Sequence, residues 1–344
     1  MLDALSEDQL AFLLDRRPLA NQSYNFNLEN KIVLVTGAGG TVGAELCTQL
    51  LKNNVPKLIL VEHSELALYE VYESLINLKK NLLDNSTKIF PRLVSILDEK
   101  EMSNIFSSFQ PNIVYHAAAY KHVHMVEINP RTGIKNNVIG THITSKLASE
   151  FGVEKYVLIS SDKAINPISV MGYSKLLSEK VISTFATHSQ TKFYIARFGN
   201  ILGSSGSVLP KLVKQLKAGF PMTISSPDST RYFMLKSEAI SLLIQMINID
   251  GINGTIYCFD MGKAVRILDL AERLHYLLKS DFKTKPEIQY SHLEPYEKIH
   301  EESVITKDAK KTENHRIFHI PPYSEARESI EAILWEVSQL TEVY

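Results

Sequence analysis

A hydroxyl, a carboxyl and an amine follow one another near the middle of the chain, as Ser161, Asp162 and Lys163. An apolar run ends at this point, and a helical pattern that carries Met171 and Lys175 begins after a short loop. The pattern predicts a strand that delivers polar groups to a cleft and a helix that presents a lysine to the same cleft. The surroundings of an adjacent acid and base can push their pKa values towards neutrality, so Asp162 and Lys163 suit proton transfer. A surface ion pair is the alternative interpretation of these two residues.

The predicted helix places Met171 and Lys175 on one face, because four residues separate them. Tyr173 is two positions from Met171, which turns a helix by about 200°, so its side chain is expected to point away. An isolated methionine and lysine at this spacing would be a core residue and a solvated one. The rest of the chain decides between that interpretation and a functional one.

A glycine-rich segment follows the first buried strand pattern. The β-branched apolar run from Lys31 to Thr36 is typical of a parallel strand, and G-x-G-G-x-x-G comes directly after it. Glycines there allow a tight turn and a close approach of backbone N–H groups to a pyrophosphate, at the positive end of a helix predicted from Thr41 to Lys52. A second strand pattern, Lys57 to Val61, completes the context of a dinucleotide site. The residues expected at the pyrophosphate are Gly37, Gly39, Gly40, Thr41, Val42 and Gly43.

Glu62 closes the second predicted strand. A carboxylate at this point can accept hydrogen bonds from both ribose hydroxyls and would repel a 2′-phosphate, so the sequence favours NAD over NADP. His63 beside it weakens that preference, and a plain surface acid is the alternative. Further cofactor contacts are expected around the adenine and along the next strand ends, at His63, Ser64, Ser95, Ile96, Ala117, Ala118, Ala119, Lys121 and Asn136.

Polar residues also follow the predicted strand from Asn112 to His116, at an edge where ligands of α/β proteins bind. The helix pattern after them runs from about Pro130 to Phe151. His122 and His124 are two positions apart and have no further Cys or His ligands near them in the sequence, so no metal site is predicted.

Composition restricts the class of protein. The formal net charge of −1 over 344 residues argues against a general nucleic-acid binder. Cys47 and Cys258 lie in apolar patterns, which suits buried thiols in a reducing compartment. No apolar run approaches the roughly 18–20 residues that span a bilayer, and the acidic N-terminus does not resemble a signal peptide. We therefore expect a cytoplasmic α/β protein without a membrane span.

The order of these patterns predicts a Rossmann-like, doubly wound parallel sheet with a smaller mixed α/β lobe. An arm of residues 1–30 would contain one amphipathic piece, from about Glu7 to Leu14, either loosely packed or used for docking or oligomerisation. The nucleotide-binding domain would comprise residues 31–198 and about 236–262. The lobe would comprise about 199–235 and 263–344. A strand from Ile256 to Asp260 is expected to return to the main sheet.

Seven motifs, in the same order as in the family, resemble the extended short-chain dehydrogenase/reductase superfamily, and among its members the bacterial nucleotide-sugar 4,6-dehydratases. They cover roughly Lys31 to Glu272, and a set of this kind is highly specific. The motifs are TGAGGTVGAELCTQLL, HSELALYE, HAAAYKHVHMVE, ISSDKAINPISVMGYSK, RFGNILGSSGSVLP, MTISSPDSTRYFM and FDMGKAVRILDLAE. Part of the arm, FLLDRRPL, resembles the segment before the catalytic domain of large membrane-anchored members, so the chain is similar to a short, soluble form.

The resemblance implies roles for individual residues. Ser161 matches the Ser/Thr of the catalytic set, and Asp162 and Lys163 match its Asp-Lys pair. Lys175 matches the lysine that holds the nicotinamide ribose, and Met171 stands where most members have the catalytic tyrosine, as in one Ser/Thr-Met-Lys branch. Arg231 matches a residue implied in diphosphate binding, and Asn200 one near the sugar-phosphate. The substrate contacts expected in this way are Lys121, His122, Asn200, Ser207, Val208, Arg231 and Glu297.

One departure from the family concerns the substrate. The motif Arg-Pro-Gly-Glu-Lys of the family is replaced here by Glu294-Pro295-Tyr296-Glu297-Lys298. An acid in place of a cation beside a diphosphate should weaken or alter that contact. The departure leaves open whether the nucleotide is UDP or GDP.

The activity implied is NAD-dependent 4,6-dehydration of a nucleotide-activated N-acetylhexosamine, most simply UDP-N-acetylglucosamine, by a homo-oligomer that serves surface glycan synthesis. Lys163 would remove the C5 proton and a protonated Asp162 would protonate the leaving 6-hydroxyl. For the proton of the C4 hydroxyl, the candidates are Ser161 relaying it to Lys175, a water, or Asp162 itself. The configuration at C5 is open, and the methionine branch points to retention. The alternatives are a C4-epimerase and a non-catalytic NAD sensor.

Overall fold

The structure, a computed structural model, describes residues 5–18, 28–83, 85–249, 251–279, 286–323 and 329–343. The strands are β1 Ile32–Thr36, β2 Lys57–Glu62, β3 Lys88–Leu93, β4 Ile113–His116, β5 Lys155–Ser161, β6 Lys192–Phe198, β7 Asn200–Ile201, β8 Met222–Ile224, β9 Thr230–Arg231, β10 Phe233–Met234, β11 Ile256–Phe259, β12 Val265–Arg266, β13 Ile288–Tyr290, β14 Lys310–Lys311 and β15 Ile317–Ile320. The helices are α1 Glu7–Leu13, α2 Thr41–Lys52, α3 Glu65–Lys80, α4 Glu99–Phe109, α5 Val123–Glu127, α6 Pro130–Ile134, α7 Gly140–Glu150, α8 Val170–His188, α9 Val208–Lys217, α10 Lys236–Met246, α11 Ile267–Lys279 and α12 Ile330–Val343.

A nine-stranded sheet forms the centre of the molecule, in the order β14-β15-β11-β6-β5-β4-β1-β2-β3. The strands from β3 to β11 in this order pair in parallel. Apart from the edge strand β3, which is only half-buried, their Val-, Ile- and Leu-rich sequences are buried because helices cover both faces of a parallel sheet. The strand order reverses between β1 and β4, which opens a crevice at their carboxyl ends. The Rossmann-like fold predicted from the sequence is confirmed.

The far edge of the sheet differs from the predicted division of the chain. Strands β14 and β15 pair antiparallel at this edge, although the sequence analysis placed all of residues 263–344 in the smaller lobe. Helix α12 also packs against α6 and α8, and Ile333 and Val337 are buried there. The C-terminal segment therefore contributes to the layers of the nucleotide-binding domain. The division into two domains stays a prediction, in which the segment of β14 and β15 and the segment of α12 now belong to the nucleotide-binding domain.

A second apolar core lies in the smaller lobe and includes α1. Ala11, Leu13 and Leu14 are buried against side chains of α9, β8 and α11. Arg16, just after the helix, forms a bidentate ion pair with the buried Glu238 of α10. The amphipathic piece of the arm is thus docked within the chain, whereas residues 1–4 and 19–27 of the arm lie outside the described part.

The predicted helix from Pro130 to Phe151 is interrupted by a π-helical segment, Lys135–Ile139, between α6 and α7. This segment turns the side chain of Asn137 towards the main chain of Tyr120. The Asn137 amide accepts from Tyr120 N at 2.8 Å and donates to Tyr120 O at 3.0 Å and to Ser174 Oγ at 2.9 Å. Asn137 thereby holds the segment between β4 and α5, residues 117–122, against α8. This segment is called the strap below. Nowhere in the described ranges does a helix combine the length and the apolar character needed to cross a membrane.

Candidate active site

Two adjoining cavities open at the carboxyl ends of the parallel strands. The smaller, of ≈ 230 Å³, lies over the glycine turn and beside β2, and the larger, of ≈ 1120 Å³, extends towards the smaller lobe. Gly37, Gly40, Ala117 and Ala119 line both, so the two form one continuous site. A ligand with an adenine end and a reactive end could span them.

The glycine turn is shaped for a close-fitting anion. Gly37 has φ of +65°, and a Cβ there would lie 2.7 Å from Ala118 N. The turn delivers the chain to the N-terminus of α2, where Gly40 is the N-cap and no side chain of the described residues caps the helix. Its first amide groups are left to a ligand, and the helix dipole favours a negative one. These residues fit a dinucleotide pyrophosphate.

Glu62 lies where the ribose is expected, at the wall of the smaller cavity, and is largely buried. Its carboxylate accepts hydrogen bonds from the backbone N–H groups of Gly39 at 3.1 Å, His63 at 2.9 Å and Ser64 at 3.1 Å. The glycine turn and the end of β2 are therefore tied together by this one acid. Oε1 also lies 2.9 Å from His63 Nδ1, whereas Gly39 N is the one donor to Oε2 among the described residues, so capacity remains at Oε2 for a ribose hydroxyl.

The polar cluster Ser161, Asp162 and Lys163 occupies the end of β5 and the 3₁₀ turn Asp162–Ala164. Ser161 Oγ donates to Asp162 Oδ1 at 2.7 Å, and Lys163 Nζ lies 3.2 Å from the same oxygen. Asp162 is buried, whereas the Lys163 side chain is 25% exposed at the cavity wall. A Cβ on Gly172 would lie 2.4 Å from Lys163 O, so the glycine permits α8 to pack directly on this turn. The two segments of the predicted cleft are brought together.

Met171 and Lys175 face the larger cavity from one side of α8, as predicted, and both are largely buried. Lys175 Nζ donates to Ile159 O at 2.8 Å. Burial lowers the pKa of Lys175 to about 8, and the nearby Glu179 limits the effect. Tyr173 instead hydrogen-bonds Glu336 of α12, which confirms that it points away from the cavity.

Glu301 belongs to the same cluster, and the sequence analysis missed it. Its carboxylate lies 2.7 Å from Lys163 Nζ, accepts from Asn200 Nδ2 at 2.6 Å and lies 3.3 Å from Arg231 Nε. The only sequence signal was its place four residues after Glu297, just beyond the motif that departs from the family. A long loop without periodicity carries it back to β5.

The charges of this cluster are arranged around the Lys163 ammonium. Burial would raise the pKa of Asp162, but Lys163 and hydrogen bonds from Glu301 and Ser161 hold it below its ordinary value. Burial would lower the pKa of Lys163, but Asp162 and Glu301 together raise it. In the free protein Asp162 is thus a carboxylate and Lys163 an ammonium. This is the reverse of the protonation states expected for the elimination itself, and a proton transfer must precede that step.

The wall expected to hold substrate is made by the strap after β4, the Gly/Ser loop before α9 and the segment after β13. Burial lowers the pKa of Lys121, and burial with the charge of Lys121 lowers that of His122. A neutral His122 lies tightly against Gly206, since a Cβ there would be 2.1 Å from its ring. Glu294 also lines this wall, beside Tyr296, whose hydroxyl is 2.8 Å from His124 Nδ1.

Most residues predicted for the site line one of the two cavities. Ser64 does not, because it is the N-cap of α3, and Asp162 is buried beneath the wall. The smaller cavity is lined by Gly37, Gly39, Gly40, Glu62, His63, Ser95, Ile96, Ala117, Ala118, Ala119 and Asn136. The larger is lined by Thr41, Val42, Gly43, Lys121, His122, Ser161, Lys163, Met171, Lys175, Asn200, Ser207, Val208, Arg231 and Glu297.

Comparison with known proteins agrees with this arrangement. Residues 33–322 match the model of a family described as "Polysaccharide biosynthesis protein". The chain belongs to this family. It is 40% identical to the capsular polysaccharide biosynthesis protein CapD of Staphylococcus aureus, over 80% of this chain and 45% of CapD. The chain spans about half the length of CapD and of a second relative, EpsC of Bacillus subtilis, of which it covers 49%.

Relatives named as enzymes include both chemistries considered above. A UDP-N-acetylglucosamine 4,6-dehydratase (inverting) of Campylobacter jejuni is 31% identical, over 72% of each chain. A UDP-glucose 4-epimerase of Rickettsia rickettsii is 28% identical, over 85% of this chain and 83% of the relative. These matches and the family membership confirm the resemblance drawn from the motifs.

Solved structures with the same fold include Pen from Bacillus thuringiensis, with a TM-score of 0.76 and 26% identity over 86% of this chain and 90% of Pen. DesIV, a dTDP-glucose 4,6-dehydratase from Streptomyces venezuelae solved with NAD bound, has a TM-score of 0.66 and 19% identity, over 78% of this chain and 86% of DesIV. At that identity the second likeness speaks for the fold alone.

Proposed function

We propose that the protein is an NAD-dependent 4,6-dehydratase that converts a nucleotide-activated N-acetylhexosamine to its 4-keto-6-deoxy product for surface glycan synthesis. The observation that carries the proposal is the hydrogen bond of 3.2 Å between Lys163, on the wall of a cavity that Met171 and Lys175 also line, and Asp162, which is buried just beneath that wall. Such a pair has a task in the elimination of water and none in a simple C4 inversion.

The proposed cofactor site is the glycine turn with Glu62 for the adenosine half and Lys175 for the nicotinamide ribose. Bound NAD would supply the acceptor of the C4 hydride and, once reduced, the donor of a hydride to C6. Glu62 favours NAD over NADP, because its carboxylate would repel a 2′-phosphate. The cytoplasmic location and the homo-oligomeric state stay predictions.

The first proton transfer needs a base for the C4 hydroxyl. A thioether cannot accept a proton, so Met171 is not that base. Ser161 Oγ already donates to the ionised Asp162 and could pass the C4 proton to it, whereas Lys175 Nζ is engaged by Ile159 O. We therefore favour Asp162, of the three candidates, as the group that takes the C4 proton, with Ser161 as the relay. The same step gives Asp162 the proton that it later needs as an acid.

The second stage is the elimination. Lys163, once its ammonium proton has passed to solvent, takes the C5 proton, which the 4-ketone has acidified, and the C5–H electron pair forms the C5–C6 double bond. The C6–O bond breaks as Asp162 gives its proton to the leaving hydroxyl, and water departs. After hydride reaches C6, Lys163 returns a proton to C5. Every proton taken is accounted for, since the C4 hydroxyl proton leaves in the water.

The substrate is proposed to be UDP-N-acetylglucosamine, as for the named relative from Campylobacter. Arg231 would face the diphosphate, and Glu294 in the same wall adds a negative charge near it. Because Glu294 replaces the arginine of the family, a GDP-linked sugar is the alternative substrate. The second candidate function is C4 epimerisation, which is supported by the epimerase-named relatives and opposed by the Asp162–Lys163 pair.

A proton NMR time course with NAD and UDP-N-acetylglucosamine in D₂O tests the proposal. Dehydration gives a new C6 methyl signal with deuterium at C5, and the ring couplings report the C5 configuration. A changed anomeric signal without a methyl signal would indicate an epimerase. If no change occurs with the UDP-sugar or with a GDP-linked sugar, the proposed function is wrong.

A further inference from the structure

The Gly/Ser loop, residues 203–207, extends from the smaller lobe to the cofactor side of the larger cavity. It connects β7 to α9, and the backbone N–H of Ser205 donates to Thr41 Oγ1 at 3.2 Å. Thr41 is the first residue of α2, directly after the glycine turn. Both residues line the larger cavity. A loop next to the expected substrate wall is therefore hydrogen-bonded to the helix end where the pyrophosphate is expected.

The tip of this loop is a type II turn. Ser207 N donates to Ser204 O at 3.0 Å, and Gly206 has φ of +69°, whereas φ of Ser205 is not positive. A positive φ at the third position alone distinguishes type II from the other common turns, and proline is frequent at the second position of this type. Ser205 occupies that second position. Its N–H is therefore not needed for the turn itself.

The turn also packs against the strap. A Cβ on Gly206 would lie 2.1 Å from Cε1 of His122 and 2.9 Å from both nitrogens of its ring. Glycine is thus required here for its backbone conformation and for this close approach. The strap in turn lies on the glycine turn, since a Cβ on Gly37 would be 2.7 Å from Ala118 N. The Gly/Ser loop therefore contacts two walls of the expected pyrophosphate site, α2 and the strap.

The Thr41 hydroxyl can bind the loop and a ligand at the same time. Its oxygen accepts from Ser205 N, and it has no other hydrogen-bond partner in the part of the chain that the structure describes. A hydroxyl can accept and donate at once. Because the bond from Ser205 occupies a lone pair, the O–H of Thr41 remains to donate to an anion at the N-terminus of α2.

We propose that the Gly/Ser loop closes the cofactor site and retains the bound dinucleotide through the Ser205–Thr41 hydrogen bond. This inference rests on the cofactor assigned in the proposed function. The proposed dehydration returns to C6 the hydride that it takes from C4, so the cofactor needs no exchange with solution between turnovers. Separation of the loop from α2 is then part of cofactor release, and loss of the hydrogen bond should make release faster.

Ser205→Pro tests the hydrogen bond because it removes the donor alone. Proline has no N–H, and its fixed φ suits the second position of the type II turn, so the shape of the loop is kept. The purified full chain is loaded with radiolabelled NAD⁺ and then mixed with excess unlabelled NAD⁺. We expect the label to leave Ser205→Pro about 5-fold faster than wild type, the effect of one hydrogen bond of typical strength.

Ser205→Ala is the matched control. It removes the exposed hydroxyl of Ser205 but keeps the backbone N–H, so the label should leave at the wild-type rate. Thr41→Val removes the acceptor and should also accelerate release. The double variant Ser205→Pro/Thr41→Val should release the label no faster than Thr41→Val alone, because the bond between the two residues is already lost. A change that acted only on the fold of the loop would instead add its effect to that of Thr41→Val.

Two results would overturn the inference. One is release from Ser205→Pro within about twofold of wild type, and the other is a double variant in which the two effects multiply. The proton NMR assay separates this inference from the proposed function. If the wild type retains labelled NAD⁺ but forms no C6 methyl group, the dehydration is wrong, and the release rates still decide the role of the loop. A wild type that retains no label would overturn both the assigned cofactor and the inference.

Discussion

Lys163 is the residue on which the proposed elimination depends most. Its amine lies between Asp162 and Glu301, and both keep it charged in the free protein. In the free protein Asp162 and Lys163 therefore form an ion pair. They become an acid and a base only after Asp162 has gained a proton and Lys163 has lost one. The C4 hydroxyl of a substrate could start that transfer, because protonation of Asp162 removes one of the two charges that raise the pKa of Lys163.

Lys163→Ala should abolish formation of the C6 methyl group, with a loss of about 10²–10⁴-fold in rate, because it removes the amine that is proposed to take the C5 proton. Hydride transfer from C4 of the sugar to bound NAD should persist, since that step does not use Lys163. The methyl signal and the absorbance of reduced nicotinamide measure the two steps separately. Lys146→Ala, at a surface lysine paired with Glu99, is the control. Full dehydration by Lys163→Ala would remove its assigned role.

The buried amine of Lys175 lowers the stability of the folded protein. Burial lowers its pKa from 10.5 to about 8, so between these pH values the unfolded chain binds a proton that the folded chain does not. Stability therefore rises with pH in this window, and below about pH 8 the folded state bears the whole cost of the buried charge. Removal of the amine should remove that cost.

We expect Lys175→Met to raise the free energy of unfolding at pH 7 by roughly 2–3 kcal/mol, while cofactor retention falls. The gain should shrink as pH approaches 10, because the wild-type amine is then neutral in the folded protein. Urea unfolding at the two pH values measures the difference. Lys146→Met, at an exposed position, should show no such dependence. Equal stability of Lys175→Met and wild type at pH 7 would contradict the argument.

At the scale of elements, a buried ionic network fixes α8 to the sheet beneath the site. Glu179, one turn beyond Lys175, accepts from Arg197 Nε of β6 at 2.8 Å, from Ser160 Oγ of β5 at 2.5 Å and from Tyr323 Oη at 2.6 Å. The network sets the position of the helix face that carries Met171 and Lys175. The position of α8 therefore depends on Glu179, although this residue does not line the cavity.

Glu179→Leu should lower the free energy of unfolding by about 3–5 kcal/mol, because it leaves Arg197 charged and buried without its partner. The double variant Glu179→Leu/Arg197→Leu should recover part of this loss, since it removes both charges. Chemical denaturation measures all variants. Glu150→Leu, at an exposed glutamate of α7, should stay within about 0.5 kcal/mol of wild type. A change of that small size in Glu179→Leu would mean that the network does not stabilise α8.

Elements with strong periodicity could be predicted from the sequence, and those without it could not. The run from Lys31 to Lys52 has an apolar strand, a glycine turn and an amphipathic helix, and β1 and α2 follow the expected bounds. Strand β15 has only four residues, mostly half-buried at the sheet edge, so no pattern distinguishes it from a loop. Glu301 could not be predicted, because only the path of a long loop brings it to Lys163.

At the scale of the whole molecule, two apolar cores lie on either side of the larger cavity. One fills the space around the parallel sheet, and the other packs α1 against the smaller lobe. Cofactor residues belong to elements of the first core. Several residues expected to hold the nucleotide sugar, Ser207, Val208 and Arg231, belong to elements that border the second. Damage to the second core should therefore affect substrate binding before it affects the cofactor.

Leu13→Ala tests this division. Leu13 is fully buried in the second core, so truncation should cost about 2–4 kcal/mol and loosen α1 from α9 and α11. We expect a raised KM for the nucleotide sugar with the amount of bound NAD unchanged. Thermal unfolding, substrate kinetics and the cofactor content of the purified protein measure these effects. Phe12→Ala, at the neighbouring position that is 42% exposed, is the control and should change them little. Loss of NAD together with substrate affinity in Leu13→Ala would mean that the two cores act as one unit.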